Sequence, residues 1–219
     1  MTNHTASLVW ITPKAELTMA YIARVSNPKN QNSESLKLLE YCIRKNHWSV
    51  FEQAYACFSI ETNRAISPQI LRHRSFTFQE FSQRYSAVIA EDQHLPDQRL
   101  AGATNRQSSL PLDPDNITDE QMRALTEADS AISYAYECYD NLLDAGFATE
   151  TARFVLPLSA PTKLYMTGSI RSWLHYVELR TQSDTQLEHQ LVAKAIGEIL
   201  AEEIPVTYKA WLNTQDARQ

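Results

Sequence analysis

Fourteen consecutive residues gather most of the chain's reactive side chains: Arg72-His73-Arg74-Ser75-Phe76-Thr77-Phe78-Gln79-Glu80-Phe81-Ser82-Gln83-Arg84-Tyr85. Between Thr62 and Ala90 the four arginines Arg64, Arg72, Arg74 and Arg84, with His73, face one acid, Glu80. In a chain of formal net charge −6, such a basic island suits a small anionic ligand better than a polyanion. Arginine presents a rigid five-donor fork that matches phosphate. Neighbours at a helix end point about 100° apart, so Arg72, His73 and Arg74 cannot all grip one group. They can hold separate parts of a large ligand, two ligands, or reach a neighbouring subunit. Ser82 and Gln83 add neutral donors beside Arg84. Glu80 can accept from a ribose or base, or orient an arginine. The plain alternative is a solvated basic helix end, with Phe76, Phe78, Phe81 and Tyr85 as ordinary core rings.

The elements that must position these residues are legible from periodicity and caps. Residues 8–12 read as a strand, Pro13 to Val25 as a helix, and Glu34 to Lys45 as a second helix capped by Ser33. Residues 47–53 read as irregular, Ala54 to Thr62 as a strand and Arg64 to Arg74 as a helix with Pro68 near its start. Ser75 to Gln83 reads as irregular and Tyr85 to Ala90 as a strand. Residues 91–119, with Pro96, Pro111 and Pro114, form a long loop. Thr118-x-x-Gln121 is a capping box opening a helix that runs to Ala145 and stops at Gly146. Thr149 to Leu156 is a short helix, Thr162 to Thr167 a strand and Ser169 to Thr181 a helix. Ser183-x-x-Gln186 caps another helix to Glu203, and Pro205 opens the last one. The sum is a helix-rich α+β fold with a small sheet, one domain over residues 1–219.

Composition excludes several chemistries. The chain has 219 residues but only 4 glycines, and the nearest pair, Gly146 and Gly168, is 22 positions apart. A Rossmann turn or P-loop needs glycines within a few residues to close backbone N–H groups on a phosphate, so any dinucleotide must be held by side chains. The three cysteines, Cys42, Cys57 and Cys138, have no metal-ligand spacing and read as buried structural thiols in a reducing compartment. No signal peptide and no apolar run of membrane-spanning length is present, so a cytoplasmic location is expected. The acidic balance disfavours a nucleic-acid binder. Trp10, Trp48, Trp173 and Trp211 read as core or interface residues, and His4, His94 and His189 as surface residues.

R-H-R, seven residues and then Ser resembles the signature of the flavin-dependent thymidylate synthases. Further stretches match that family in order: His47-Trp48-Ser49-Val50-Phe51-Glu52, Gln69 ahead of Arg72, Glu150-Thr151-Ala152-Arg153-Phe154-Val155-Leu156-Pro157, and Gly168-Ser169-Ile170-Arg171 on through His175 to Leu179-Arg180. Asn105-Arg106-Gln107 in the long loop is also similar. The resemblance implies reductive methylation of dUMP to dTMP. The carbon would come from 5,10-methylenetetrahydrofolate and the hydride from FAD reduced by NADPH, in a homotetramer whose active sites are shared between subunits.

Carried onto this chain, the resemblance implies that Arg72, His73 and Arg74 contact FAD, together with Ser49, Glu80, Ser169, Arg171 and His175. It implies that Gln69, Arg72, Glu80, Phe81, Ser82, Gln83, Arg84, Arg153 and Arg180 line the dUMP site, with Arg84 and Arg153 on the phosphate. His47 would sit at the folate and flavin mouth. Arg180 is the candidate catalytic residue: always charged, it cannot be a base, but it can stabilise negative charge on uracil N3 and O4. Arg171 and His175 share a helix face, whereas Arg180 falls opposite Arg171. No metal is implied. Ser169 and His175 stand where the family often has asparagine, and Gln53 where it often has histidine. A flavin- or nucleotide-binding relative without turnover is the alternative reading.

Overall fold

The computed structural model describes residues 4–89, 95, 97–102 and 109–216. Four strands form an antiparallel sheet in the order β1 (Thr5–Ile11), β2 (Tyr55–Asn63), β6 (Pro161–Ser169), β3 (Thr77–Glu80). Successive strand residues face opposite sides. Ala56, Phe58 and Ile60 of β2 and Leu164 and Met166 of β6 therefore point to one side and are buried there. Helix α6 (Ile170–Arg180) covers that face through Trp173, whose ring centre lies 4.7 Å from that of Phe58. Its Nε1 donates to the carbonyl of Ala56 at 3.1 Å. Helix α7 (Leu187–Glu203) buries Val192, Ala193, Ile196 and Leu200 in the same core, beside α1 (Ala15–Ala23), α2 (Lys37–Arg44) and α8 (Pro205–Asp216). A smaller core lies under α4 (Asp119–Asp144), built from Tyr136, Tyr139, Val88, Ala152 and Ala160. The α+β, helix-rich class with a small sheet is what the sequence implies.

Gly168 has a specific task in this sheet. A Cβ there would lie 2.4 Å from Cδ1 of Phe76, so only glycine lets that ring seat against β6. Gly146 ends α4 with φ 86°, and the Thr118 capping box is formed on both sides, as the sequence requires.

Several local expectations are corrected. The expected helix 64–74 is only α3 (Ser67–Ile70). The Asn63 side chain accepts from the backbone N–H of Ala65 and Ile66, both at 3.1 Å, and so makes a turn before the helix. The chain then turns through Arg72, His73 and Arg74 to join the sheet as β3, within the stretch expected to be irregular. Residues 85–89 form no strand. The long loop 91–119 contains a hairpin of β4 (Arg99–Ala101) and β5 (Ser109–Pro111) and a 3-10 turn at Pro114–Asn116. Ser33 does not cap α2, which starts at Lys37. Nor does Ser183 cap α7, where Gln186 holds the cap position without a side-chain bond. Thr149–Ala152 (α5) passes into a 3-10 turn at Arg153–Val155. His94 and Asn105-Arg106-Gln107 lie outside the described residues. Among the described residues no helix is long and apolar enough to cross a membrane.

Candidate active site

Helix α6 carries the site at both its ends. Ser169 is buried and acts as its N-cap, its Oγ accepting from the Ser172 N–H at 3.2 Å. This fixes where the helix starts, and hence where Arg171 and His175 emerge. Both line a cleft of about 440 Å³ with Ser75, Ser172, Trp48 and Trp211. Arg171 is ion-paired with Glu52, and both side chains are about half exposed. Such a pair adds little stability and leaves the guanidinium free to exchange partners.

Arg180, at the other end of α6, lines a different and larger cleft of about 830 Å³, together with Gln69, Arg72, Arg99, Ser109 and Gln186. The half-turn mismatch between Arg171 and Arg180 thus separates two clefts. His73 sits inside the turn behind Arg180. Its Nε2 accepts from Arg180 Nε at 2.9 Å, so the imidazole proton must reside on Nδ1. Burial first, then the charge of Arg180 and the proximity of His175, push the His73 pKa down to about 4. Edge-on rings of Phe76, Tyr176 and His189 surround it at centroid distances of 6.3, 4.9 and 6.2 Å. Arg72 lines the large cleft, while Arg74 is exposed. The three consecutive residues leave a turn rather than a helix end, with Arg72 on the cleft wall, His73 bonded to Arg180 and Arg74 exposed.

The segment after β3 forms a third group. Glu80 Oε1 is saturated, accepting from Arg64 at 2.5 Å, Ser67 Oγ at 2.6 Å and Thr162 Oγ1 at 3.0 Å. Of its two open readings, orienting an arginine is the one seen, and that arginine is Arg64. Phe81 and Ser82 are exposed. Gln83 is buried, and its Nε2 has no hydrogen-bond partner among the described residues. Such an orphaned buried donor is costly and is what a polar ligand would satisfy. Arg84 reaches Glu150 of α5 at 3.4 Å. Arg153 is half-buried, with its guanidinium carbon 5.9 Å from the Phe154 ring centre. Ser49 and His47 are exposed next to the smaller cleft's Trp48. One chain therefore brings together Gln69, Arg72 and Arg180, and separately Arg171 and His175; residues 81–84 and Arg153 line neither cleft.

Sequence reasoning missed four contributors. Arg99, in the supposed loop, lines the large cleft and is held by Glu188 in a two-point pair at 2.7 and 3.0 Å. His189 is fully buried, not a surface residue. Its position three, four and seven residues before Val192, Ala193 and Ile196 is the signal that shows it on the buried face. Tyr176 and Gln186 complete this set. Trp173 and Trp211 are buried in the main core and Trp48 packs against it, as read from the sequence, although Trp48 and Trp211 also border the smaller cleft; Trp10 is 45% exposed. Cys42 and Cys57 are buried free thiols and Cys138 is half-buried. Among the described residues no cluster is suited to a metal.

Comparison with known proteins agrees with this picture. The family described as thymidylate synthase complementing protein matches residues 7–206. A probable flavin-dependent thymidylate synthase of Paramecium bursaria Chlorella virus 1 is 48% identical, over 90% of each chain. A flavin-dependent thymidylate synthase of Synechocystis sp. is 42% identical, over 88% of this chain and 87% of its own. The crystal structure of a UMP/dUMP methylase, PolB from Streptomyces cacaoi, bound with 5-Br dUMP, superposes with a TM-score of 0.82 at 29% identity, covering 97% of this chain and 96% of that one. With ordered motifs, a shared fold and near-complete coverage all in agreement, the chain belongs to the flavin-dependent thymidylate synthase family.

Proposed function

We propose that the protein converts dUMP to dTMP by reductive methylation, with 5,10-methylenetetrahydrofolate as carbon donor and FAD as the redox group, reduced by NADPH. The observation that carries the reading is the Arg180–His73 hydrogen bond at 2.9 Å on the wall of the Arg72 cleft. It engages Nε of Arg180, and among the described residues neither Nη group has a partner, which leaves both for a ligand. A permanent cation so placed stabilises negative charge on uracil N3 and O4, and that charge makes C5 a better nucleophile.

The donor set fits a flavin dinucleotide held without a glycine loop. Arg171 and His175 supply charge and hydrogen bonds, Ser75 and Ser172 hydroxyls, and the half-buried Trp48 an aromatic ring. Ser49, Arg72, His73, Arg74 and Glu80 belong to the same proposed set, and Ser169 acts on it by fixing the start of α6. When bound, the flavin supplies the hydride. The protein's own part is orientation and electrostatics. Gln69 and Arg72 orient the nucleotide beside Arg180. Phe81, Ser82 and Gln83 contact it, and Arg84 and Arg153 hold its phosphate. His47 lies at the folate mouth.

Those nucleotide residues fall into separate groups within one chain, which supports a site shared between subunits. We place them in a homotetramer. The apolar surface around the third group supports this: Tyr85 is 91% exposed, Ile89 82%, Phe154 81% and Leu158 71%. Incubating the purified protein with FAD, NADPH, methylenetetrahydrofolate and dUMP tests the proposal. dTMP formation that depends on all four supports it, and flavin binding without product would favour a non-catalytic relative.

A further inference from the structure

Three residues at the start of α7 connect to residues that line the Arg180 cleft, two directly and His189 through Tyr176 and His73. Gln186 Oε1 accepts from Gln69 Nε2 at 2.8 Å. Glu188 holds Arg99 through two hydrogen bonds. His189 Nε2 lies 3.0 Å from the Tyr176 hydroxyl, and the Tyr176 ring meets His73 edge-on at 4.9 Å. His73 in turn accepts from Arg180. Gln69, Arg99 and Arg180 all line the cleft.

His189 is the most informative of the three. It is fully buried, and its Nδ1 has no hydrogen-bond partner among the described residues. An orphaned polar atom in a core destabilises the fold, and leucine would fill a similar volume without one. The imidazole is instead spent on the Tyr176 hydroxyl, which packs against the one ring that holds Arg180.

We propose that residues 186–189 form a positioning element for the cleft, in which His189 fixes Arg180 through Tyr176 and His73. Arg180 can present both Nη groups to the cleft only while Nε is committed to His73. His73 accepts only with its Nε2 lone pair turned toward Arg180. The Phe76, Tyr176 and His189 rings hold it in that orientation, and the His189–Tyr176 hydrogen bond fixes the tyrosine. This inference rests on the reading of Arg180 as the group that stabilises the uracil anion.

The test uses the full-length, flavin-loaded enzyme and His189→Leu. The kcat for dTMP formation is expected to fall about tenfold, as for other residues that orient a catalytic group, with the KM for dUMP and the flavin content unchanged, and Tm falls as well because the buried Tyr176 hydroxyl loses its partner. His189→Gln, which can still bond Tyr176, restores most of the rate. Tyr176→Phe produces the same fall, and the double variant falls no further, because both act on one path. Nitrogen-15 NMR of histidine-labelled protein gives a readout independent of turnover: His73 Nε2 is unprotonated in the parent and becomes a tautomer mixture in His189→Leu. If the parent makes no dTMP, the functional reading fails while the NMR result still decides the positioning. A parental kcat in His189→Leu, additive losses, or an unchanged His73 tautomer overturns the proposal. If the leucine variant does not fold, Tyr176→Phe, which keeps the ring, carries the same comparison.

Discussion

Arg180 Nε and His73 Nε2 are joined by a 2.9 Å hydrogen bond that ties the end of α6 to the centre of the Arg72-His73-Arg74 turn. Two residues 107 positions apart thus act as one unit, a permanent cation and a neutral acceptor. The acceptor must stay neutral, because a protonated imidazole would present a second donor to Nε. Burial and the Arg180 charge secure this by lowering the His73 pKa.

Arg180→Lys keeps the charge but loses the planar fork. Lysine has one nitrogen and cannot both bond His73 and present two further groups to a ligand. Turnover is expected to drop by about 100-fold or more while the flavin absorbance of the purified protein stays at the parental level. A near-parental rate would remove Arg180 from the catalytic role.

Stability should depend on pH through the buried imidazoles. His73 and His189 have folded pKa values lowered to about 4 and about 3 from an ordinary 6.5, in each case by burial first. Between those values and 6.5 the unfolded chain binds more protons than the folded one, so the contribution of these imidazoles to stability is lost as pH drops below about 6.5. His4, also lowered mainly by burial, acts in the same direction. Urea midpoints measured from about pH 7 down to about pH 4.5 should decline, less steeply in His189→Leu; an identical slope in both proteins would argue against a neutral buried His189.

Gly168→Ala tests the seat of Phe76. The new methyl would meet the ring at 2.4 Å, so the ring must shift, and overpacking of this kind costs about 1–3 kcal/mol. Since Phe76 also packs against His73, turnover should fall together with the denaturation midpoint. An unchanged midpoint would show that the ring moves freely.

Phe154→Asp places a charge in the exposed apolar surface attributed to subunit contact. Light scattering should show a shift from tetramer to smaller species, with loss of activity that returns at high protein concentration. A monomeric parent, or a variant tetramer as stable as the parent, would exclude that surface from assembly.

The main elements were legible because their signals are local. The Thr118 capping box, Gly146 and the apolar spacing of β2 and β6 each belong to a single element. β3 was missed because Glu80, a charged residue, occupies an inward position, and only the distant donors Arg64, Ser67 and Thr162 make that tolerable. The hairpin that delivers Arg99 was hidden for a similar reason, since its partner Glu188 lies 89 residues away. The arginines could be read from spacing, but the division of Arg171 and Arg180 between two clefts follows from where α6 begins and ends. His189 carried a readable burial pattern, whereas its link to Arg180 passes through Tyr176 and His73 and exists only in the folded chain.

The most direct test of the account is single-turnover product analysis. Purified protein reconstituted with FAD and reduced anaerobically by NADPH is mixed with dUMP and labelled methylenetetrahydrofolate, and the nucleotide is isolated. The account predicts labelled dTMP in an amount set by the bound flavin, and none when dUMP, folate or flavin is omitted. Protein that cannot be loaded with FAD, or reduced flavoprotein that leaves dUMP unmethylated, would contradict it.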